Sequence, residues 1–164
     1  MILGLSVAAF TATHVFISLA GMATGLVVMA GLLAGRKPPG WTEAFLLTTA
    51  ATSITGFFFP SRGFDPAHVV GVISLIALGV TTLALYAGKL SGPWRPAFVI
   101  GATLALYLDV FVGVVQAFQK LPPLKQLAPT QTEPPFVVTQ VVTLVVFAAL
   151  GVFAVRRFGA SRAA

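Results

Sequence analysis

Cysteine is absent from this chain, which excludes disulfides, thiolate metal centres and cysteine nucleophiles and leaves the redox compartment unreadable from this feature. Charge is nearly as scarce: 9% of the 164 residues are charged, against roughly a quarter in an ordinary soluble domain. A water-soluble fold with 57% hydrophobic residues would have almost nothing polar to show. No basic segment precedes the first apolar stretch, so a cleaved signal peptide is not expected. No internal repeat supports an inverted-repeat transporter. No Ser-His-Asp order, phosphate loop or dinucleotide fingerprint stands at a credible site.

What is present is a set of long apolar runs, at about 5–34, 42–59, 67–88, 97–118 and 136–155. Each is near or above the roughly 20 residues that span hydrocarbon, the second being marginal. Punctuation marks their ends: Pro60 closes the second run, Asp65 and Pro66 read as cap and first-turn proline of the third, and Pro96 opens the fourth. The sequence thus predicts one all-α membrane domain over 1–164, a polytopic transmembrane bundle of five spans. The alternative is four spans and a re-entrant second run. The first run is long enough to project beyond the membrane. The connection 119–135 holds Pro122, Pro123, Pro129, Pro134 and Pro135, and is expected to be an extended strap across the bundle mouth.

The basic residues test this topology. The net charge is +6, but the cations come singly or in pairs at run ends, not as a face for nucleic acid. With five spans, Arg36, Lys37, Lys89, Arg95, Arg156, Arg157 and Arg162 share one side, and Arg62, Lys120 and Lys125 the other. A re-entrant second run would divide them evenly. Basic residues collect in the cytoplasm, so the N-terminus is expected outside and the C-terminus inside, with Trp41 and Trp94 anchoring the cytoplasmic interface.

Lipid supplies no hydrophobic drive between helices, so small and polar residues show where helices meet. On the first helix His14, Ser18, Gly21 and Gly25 form one stripe, with a GxxxG pair. The fourth repeats the pattern with Ala102, Ala105, Asp109, Gly113 and Gln116. The second carries Thr48, Thr52 and Thr55 beside Thr49, Ser53 and Gly56, and should be the most enclosed helix.

Asp109 is the acid deepest inside a span, and an ionisable group there is a functional hypothesis by default. At outer depths His14, His68, Gln116 and Gln140 join it as five groups that could surround one outward-facing cavity. The structural reading makes Asp109 a neutral carboxyl bonding between helices; the functional one makes it, with His14, a proton or cation site. His14 and His68 also admit a haem held by two imidazoles. For a metal site, His14, His68, Asp109 and Glu133 lack HxxxH or HxxE spacing.

The stretches 51–60 (ATSITGFFFP), 105–112 (ALYLDVFV) and 116–136, with its APTQTEPPF, resemble a group of small bacterial multi-pass membrane proteins with no assigned activity. The resemblance covers most of the chain and implies a bacterial cytoplasmic membrane location. Asparagine is usual in that group where Asp109 stands here, which argues against proton transfer through this carboxyl as a shared function. It also suggests that the strap ending in Glu133, Pro134 and Pro135 lies over Gln116. Three functions are open: a non-enzymatic accessory or scaffold subunit, partnered by other membrane subunits or its own copies; a small-solute, proton or cation transporter or channel; and a haem or quinone redox protein.

Overall fold

The computed structural model describes residues 1–60 and 66–160, with side chains through residue 158. The expected cap Asp65, with Ser61 and Arg62, and Arg162 lie outside the described residues. Among the described residues six helices follow in order: α1 (Val7–Leu33), α2 (Trp41–Gly56), α3 (Pro66–Tyr86), α4 (Trp94–Lys120), α5 (Pro122–Leu127) and α6 (Pro134–Ala160). Four of them, α1, α3, α4 and α6 over Pro134–Phe158, are long and apolar enough to cross a membrane. The chain is a membrane helix bundle.

Local chemistry sets the helix ends. Ser6 caps α1, its hydroxyl accepting from the Ala9 N–H at 3.2 Å. At the other end Gly35, with φ of 72°, takes the left-handed conformation. The N–H groups of Gly35 and Arg36 then donate back to the carbonyls of Leu32 and Gly31, closing the last turn as a Schellman motif. Prolines sit in opening turns: Pro66 begins α3 and Pro134 begins α6, where the missing N–H costs no helical hydrogen bond.

The same rule corrects the expectation for the connection after α4. Instead of an extended strap throughout, Pro122 and Pro123 start the six-residue helix α5. The positions of two adjacent prolines at its first turn are compatible with a helix.

α1 and α2 lie antiparallel along nearly their whole length. Gly31 faces Pro38, Gly25 faces Phe45, Gly21 faces Thr49, His14 bonds Thr55, and the rings of Phe10 and Phe59 are 5.1 Å apart. The stretch from Phe10 to Gly31 rises about 32 Å at 1.5 Å per residue. α2 itself has 16 residues, so it is the turns flanking it that extend this company. α4 is antiparallel to α1 as well, Asp109 near Gly21 and Leu106 near Gly25, and to α6, from Phe98 beside Phe158 to Phe118 beside Phe136.

The most enclosed helix is α4, not α2 as the hydroxyls suggested. α4 packs against all five others, and Phe98, Val99, Ala105 and Leu106 are buried within it. α2 needs less enclosure because its hydroxyls bond back to its own chain: Thr42 to the Pro38 carbonyl, Thr48 to Ala44 and Thr55 to Ala51. α6 is the opposite extreme, with Phe147, Ala154 and Phe158 buried and Val138, Val145 and Val152 more than half exposed.

Candidate functional site

Three helices meet around Asp109. Gly21 of α1 is buried, and a Cβ there would stand 3.2 Å from Thr49 Oγ1 and 3.4 Å from Asp109 Oδ2. The missing side chain therefore lets α1 close over a hydrogen bond between its neighbours, in which Thr49 Oγ1 donates to Asp109 Oδ2 at 2.9 Å. One turn along, Gly25 is held against Leu106 and Phe45, which a Cβ would meet at 2.5 and 2.8 Å. Gly113 faces Met22, its would-be Cβ 3.3 Å from the sulfur. Among the described residues the ion pair is Lys37 with Glu43, at 3.0 Å, and Asp109 has no cationic partner.

Toward the start of α1, His14 Nδ1 lies 2.8 Å from Thr55 Oγ1. The Thr55 hydroxyl gives its proton to the Ala51 carbonyl at 2.7 Å, so the imidazole is the donor in this contact. That fixes the proton on Nδ1 and leaves the lone pair on Nε2 when the ring is neutral. The ring also meets Phe59 edge-on, centroids 5.0 Å apart. Ser18 donates back to the His14 carbonyl at 2.8 Å. Between the two contacts of α2, Thr52 Oγ1 is buried with no hydrogen-bond partner.

The remaining candidates lie elsewhere. Gln140 of α6 donates from Nε2 to the Phe111 carbonyl at 3.2 Å, while its Oε1 is buried without a partner. His68, at the start of α3, stands beside Phe57 with centroids 5.3 Å apart. Gln116 is exposed, and the connection docks beside it: Gln131 donates to the Val115 carbonyl at 2.9 Å and accepts from Gln119 at 3.2 Å. The five groups thus divide among several contacts. Two recesses stand out in the bundle, and neither is lined by any of these five. No group of three or more His, Asp or Glu residues that could hold a metal ion occurs among the described residues.

Three features escaped the sequence reading. Ser74 of α3 accepts from Ser53 at 3.2 Å, both buried. Gly101 of α4 lies directly against Thr81 of α3; the seven-residue spacing of Ser74 and Thr81 was the available signal. Glu133 organises the turn before α6, accepting from the Thr130 hydroxyl at 2.8 Å and from the N–H groups of Thr130 and Thr132. Desolvation pushes its carboxyl upward, but the Thr130 hydroxyl and the backbone donors outweigh this and hold it below the ordinary value.

Of the two recesses, one is an apolar groove of about 510 Å³ between α4 and α6, walled by Leu104, Tyr107, Phe147 and Gly151. The other is a basic pocket at the bundle end that gathers the α1–α2 turn, the α3–α4 turn and Phe158 of α6. No family model, curated protein or solved structure matches this chain.

Proposed function

We propose that this is a five-span bundle of the bacterial cytoplasmic membrane, N-terminus outside and C-terminus inside, serving as a non-enzymatic accessory or scaffold subunit. The antiparallel course of α2 beside α1 supports the fifth crossing, since it carries the chain from Pro38, near the end of α1, to Phe59, beside Phe10. Arg36, Lys37, Lys89 and Arg95 meet at one end, which favours that end as cytoplasmic.

One observation carries the scaffold reading: Asp109 and His14 are each paired with a hydroxyl of α2, while α6 turns an apolar row of valines outward. Asp109 takes Thr49 and His14 takes Thr55. Val138, Val145 and Val152, seven residues apart, are 58%, 61% and 51% exposed. A seven-residue spacing keeps the seam on one side of the helix, suited to a second membrane helix.

Native purification followed by mass spectrometry tests this. The expected result is a stable oligomer or a stoichiometric complex with another membrane protein, crosslinked through a cysteine at Val145. A stable monomer with no copurifying subunit and no crosslink would overturn the scaffold reading.

A further inference from the structure

The basic pocket at the bundle end has no place in the packing account. Arg36 and Lys37 of the α1–α2 turn, Lys89 of the α3–α4 turn and Arg95 of the first turn of α4 line it, around a volume of about 310 Å³. Four of its lining residues are basic. The Lys37 ammonium bonds Glu43 Oε1 at 3.0 Å, which leaves the pocket with a clear excess of positive charge.

Two features show that the pocket is held in shape. The Arg95 guanidinium lies over the Phe158 ring, 4.5 Å from its centroid, a cation–π contact that fixes the side chain. Its Nε is nevertheless buried without a hydrogen-bond partner. A buried guanidinium N–H left unpaired costs free energy, so the side chain is held here at a cost. Lys89 and Leu90 both adopt positive φ, 48° and 52°. For residues with a Cβ this is strained backbone, the kind retained where the surroundings or a ligand require it.

We infer that this pocket binds the phosphate headgroup of an anionic phospholipid. Repelling cations call for an anion with several acceptor oxygens, and guanidinium with ammonium groups is the donor set that phosphate takes. The position selects a lipid as its source. The pocket sits where the spanning helices end, and both Trp41 and Trp94, exposed at the starts of α2 and α4, mark that level as the membrane interface. Basic pockets between helix ends at this depth receive acidic headgroups. The inference needs only that the helices cross a membrane and does not depend on the scaffold role.

The test is lipid binding to the full chain in mild detergent, followed by native mass spectrometry and by thermal stability, with phosphatidylglycerol, phosphatidylcholine and inorganic phosphate as the probes. Phosphatidylglycerol should bind and stabilise, and phosphatidylcholine should not. Arg95→Gln should weaken phosphatidylglycerol about tenfold or more, the scale of one hydrogen bond to a charged group. Lys89→Gln, on an exposed turn where folding is not at stake, should weaken it in the same direction and decides the matter if Arg95→Gln does not fold. Arg157→Gln, exposed on α6 and outside the pocket, should change little. Equal binding of both lipids, equal losses for Lys89→Gln and Arg157→Gln, or inorganic phosphate displacing the lipid preference altogether would overturn the proposal.

Discussion

α2 and α6 invert the usual relation between hydropathy and burial. α2 has 16 residues, is rich in hydroxyls and does not qualify as a span by length, yet it is wedged against α1, α3 and α4. α6 over Pro134–Phe158 has the highest mean hydropathy of the four long helices, 2.4, and the smallest buried share, 6%. In water this would be an error of folding. In a membrane, lipid covers a valine as well as protein does, so apolar surface has no reason to be inside, whereas groups that hydrogen-bond or permit close approach do.

The largest expected effect is on the close-packed side. Gly25→Leu would drive a side chain into Leu106 and Phe45, each 1% exposed and unable to swing away. It should lower stability in detergent by about 3 kcal/mol, the upper range for overpacking. Val27→Leu, at a position 38% exposed, should be nearly neutral. Similar losses at both would mean that α1 turns another face to its neighbours.

Next comes the Asp109–Thr49 bond. Asp109→Ala should cost about 1 to 2 kcal/mol, the scale of interhelical hydrogen bonds in membranes. Asp109→Asn should cost almost nothing, because the amide oxygen still accepts from Thr49. A double-mutant cycle with Thr49→Val measures the coupling. A folded Asp109→Asn protein that had lost a pH-dependent cation flux shown by the parent would instead establish the transport reading.

Smaller still is the effect on α6. Gln140→Leu removes one bond to the Phe111 carbonyl but also a buried oxygen without a partner. The two terms nearly cancel, and a change within about 0.5 kcal/mol is expected, smaller than the average membrane hydrogen bond of about 0.6. A loss of 2 kcal/mol in a thermal unfolding series would show that α6 is anchored as firmly as α2.

The slightest effect is confined to the connection. Glu133 has its folded value below the unfolded one, so its contribution is complete above the ordinary value near 4.5 and is lost as pH falls through the folded value. Acidification should lower the amide protection factors at Thr130 and Thr132, taken against the intrinsic exchange rate at each pH, while those of α4 hold. Glu133→Gln should remove that pH dependence.

The helices were largely legible because the signals were local. Runs and prolines locate α1, α3, α4 and α6 to within a few residues, with α4 starting at Trp94 and α6 at Pro134, since opening-turn prolines extend a helix that hydropathy alone trims. The facing of Gly21, Gly25 and Asp109 was legible too, as a stripe of small and polar residues. What could not be read was how far each stripe stays in contact. Asp109, Gly113 and Gln116 share one face of α4, yet Gly113 meets Met22 while Gln116 is exposed; an inclined neighbour meets a straight stripe over only part of its length. Nor could depth distinguish Gln140 on the α4–α6 contact from His14 on the α1–α2 contact. Depth is set by position along a helix, and partners by the order of helices around the bundle.

Whether α2 crosses the membrane decides the account most directly. The chain has no native thiol, so single cysteines report cleanly, and Pro39 and Pro60 are both exposed, one on either side of α2. In sealed cells an impermeant thiol reagent should label Pro60→Cys and Thr130→Cys from outside, and should leave Pro39→Cys and Ser91→Cys unlabelled until the membrane is opened. Labelling of Pro39→Cys and Pro60→Cys from the same side would show that α2 turns back within the bilayer, and the five-span account would be wrong.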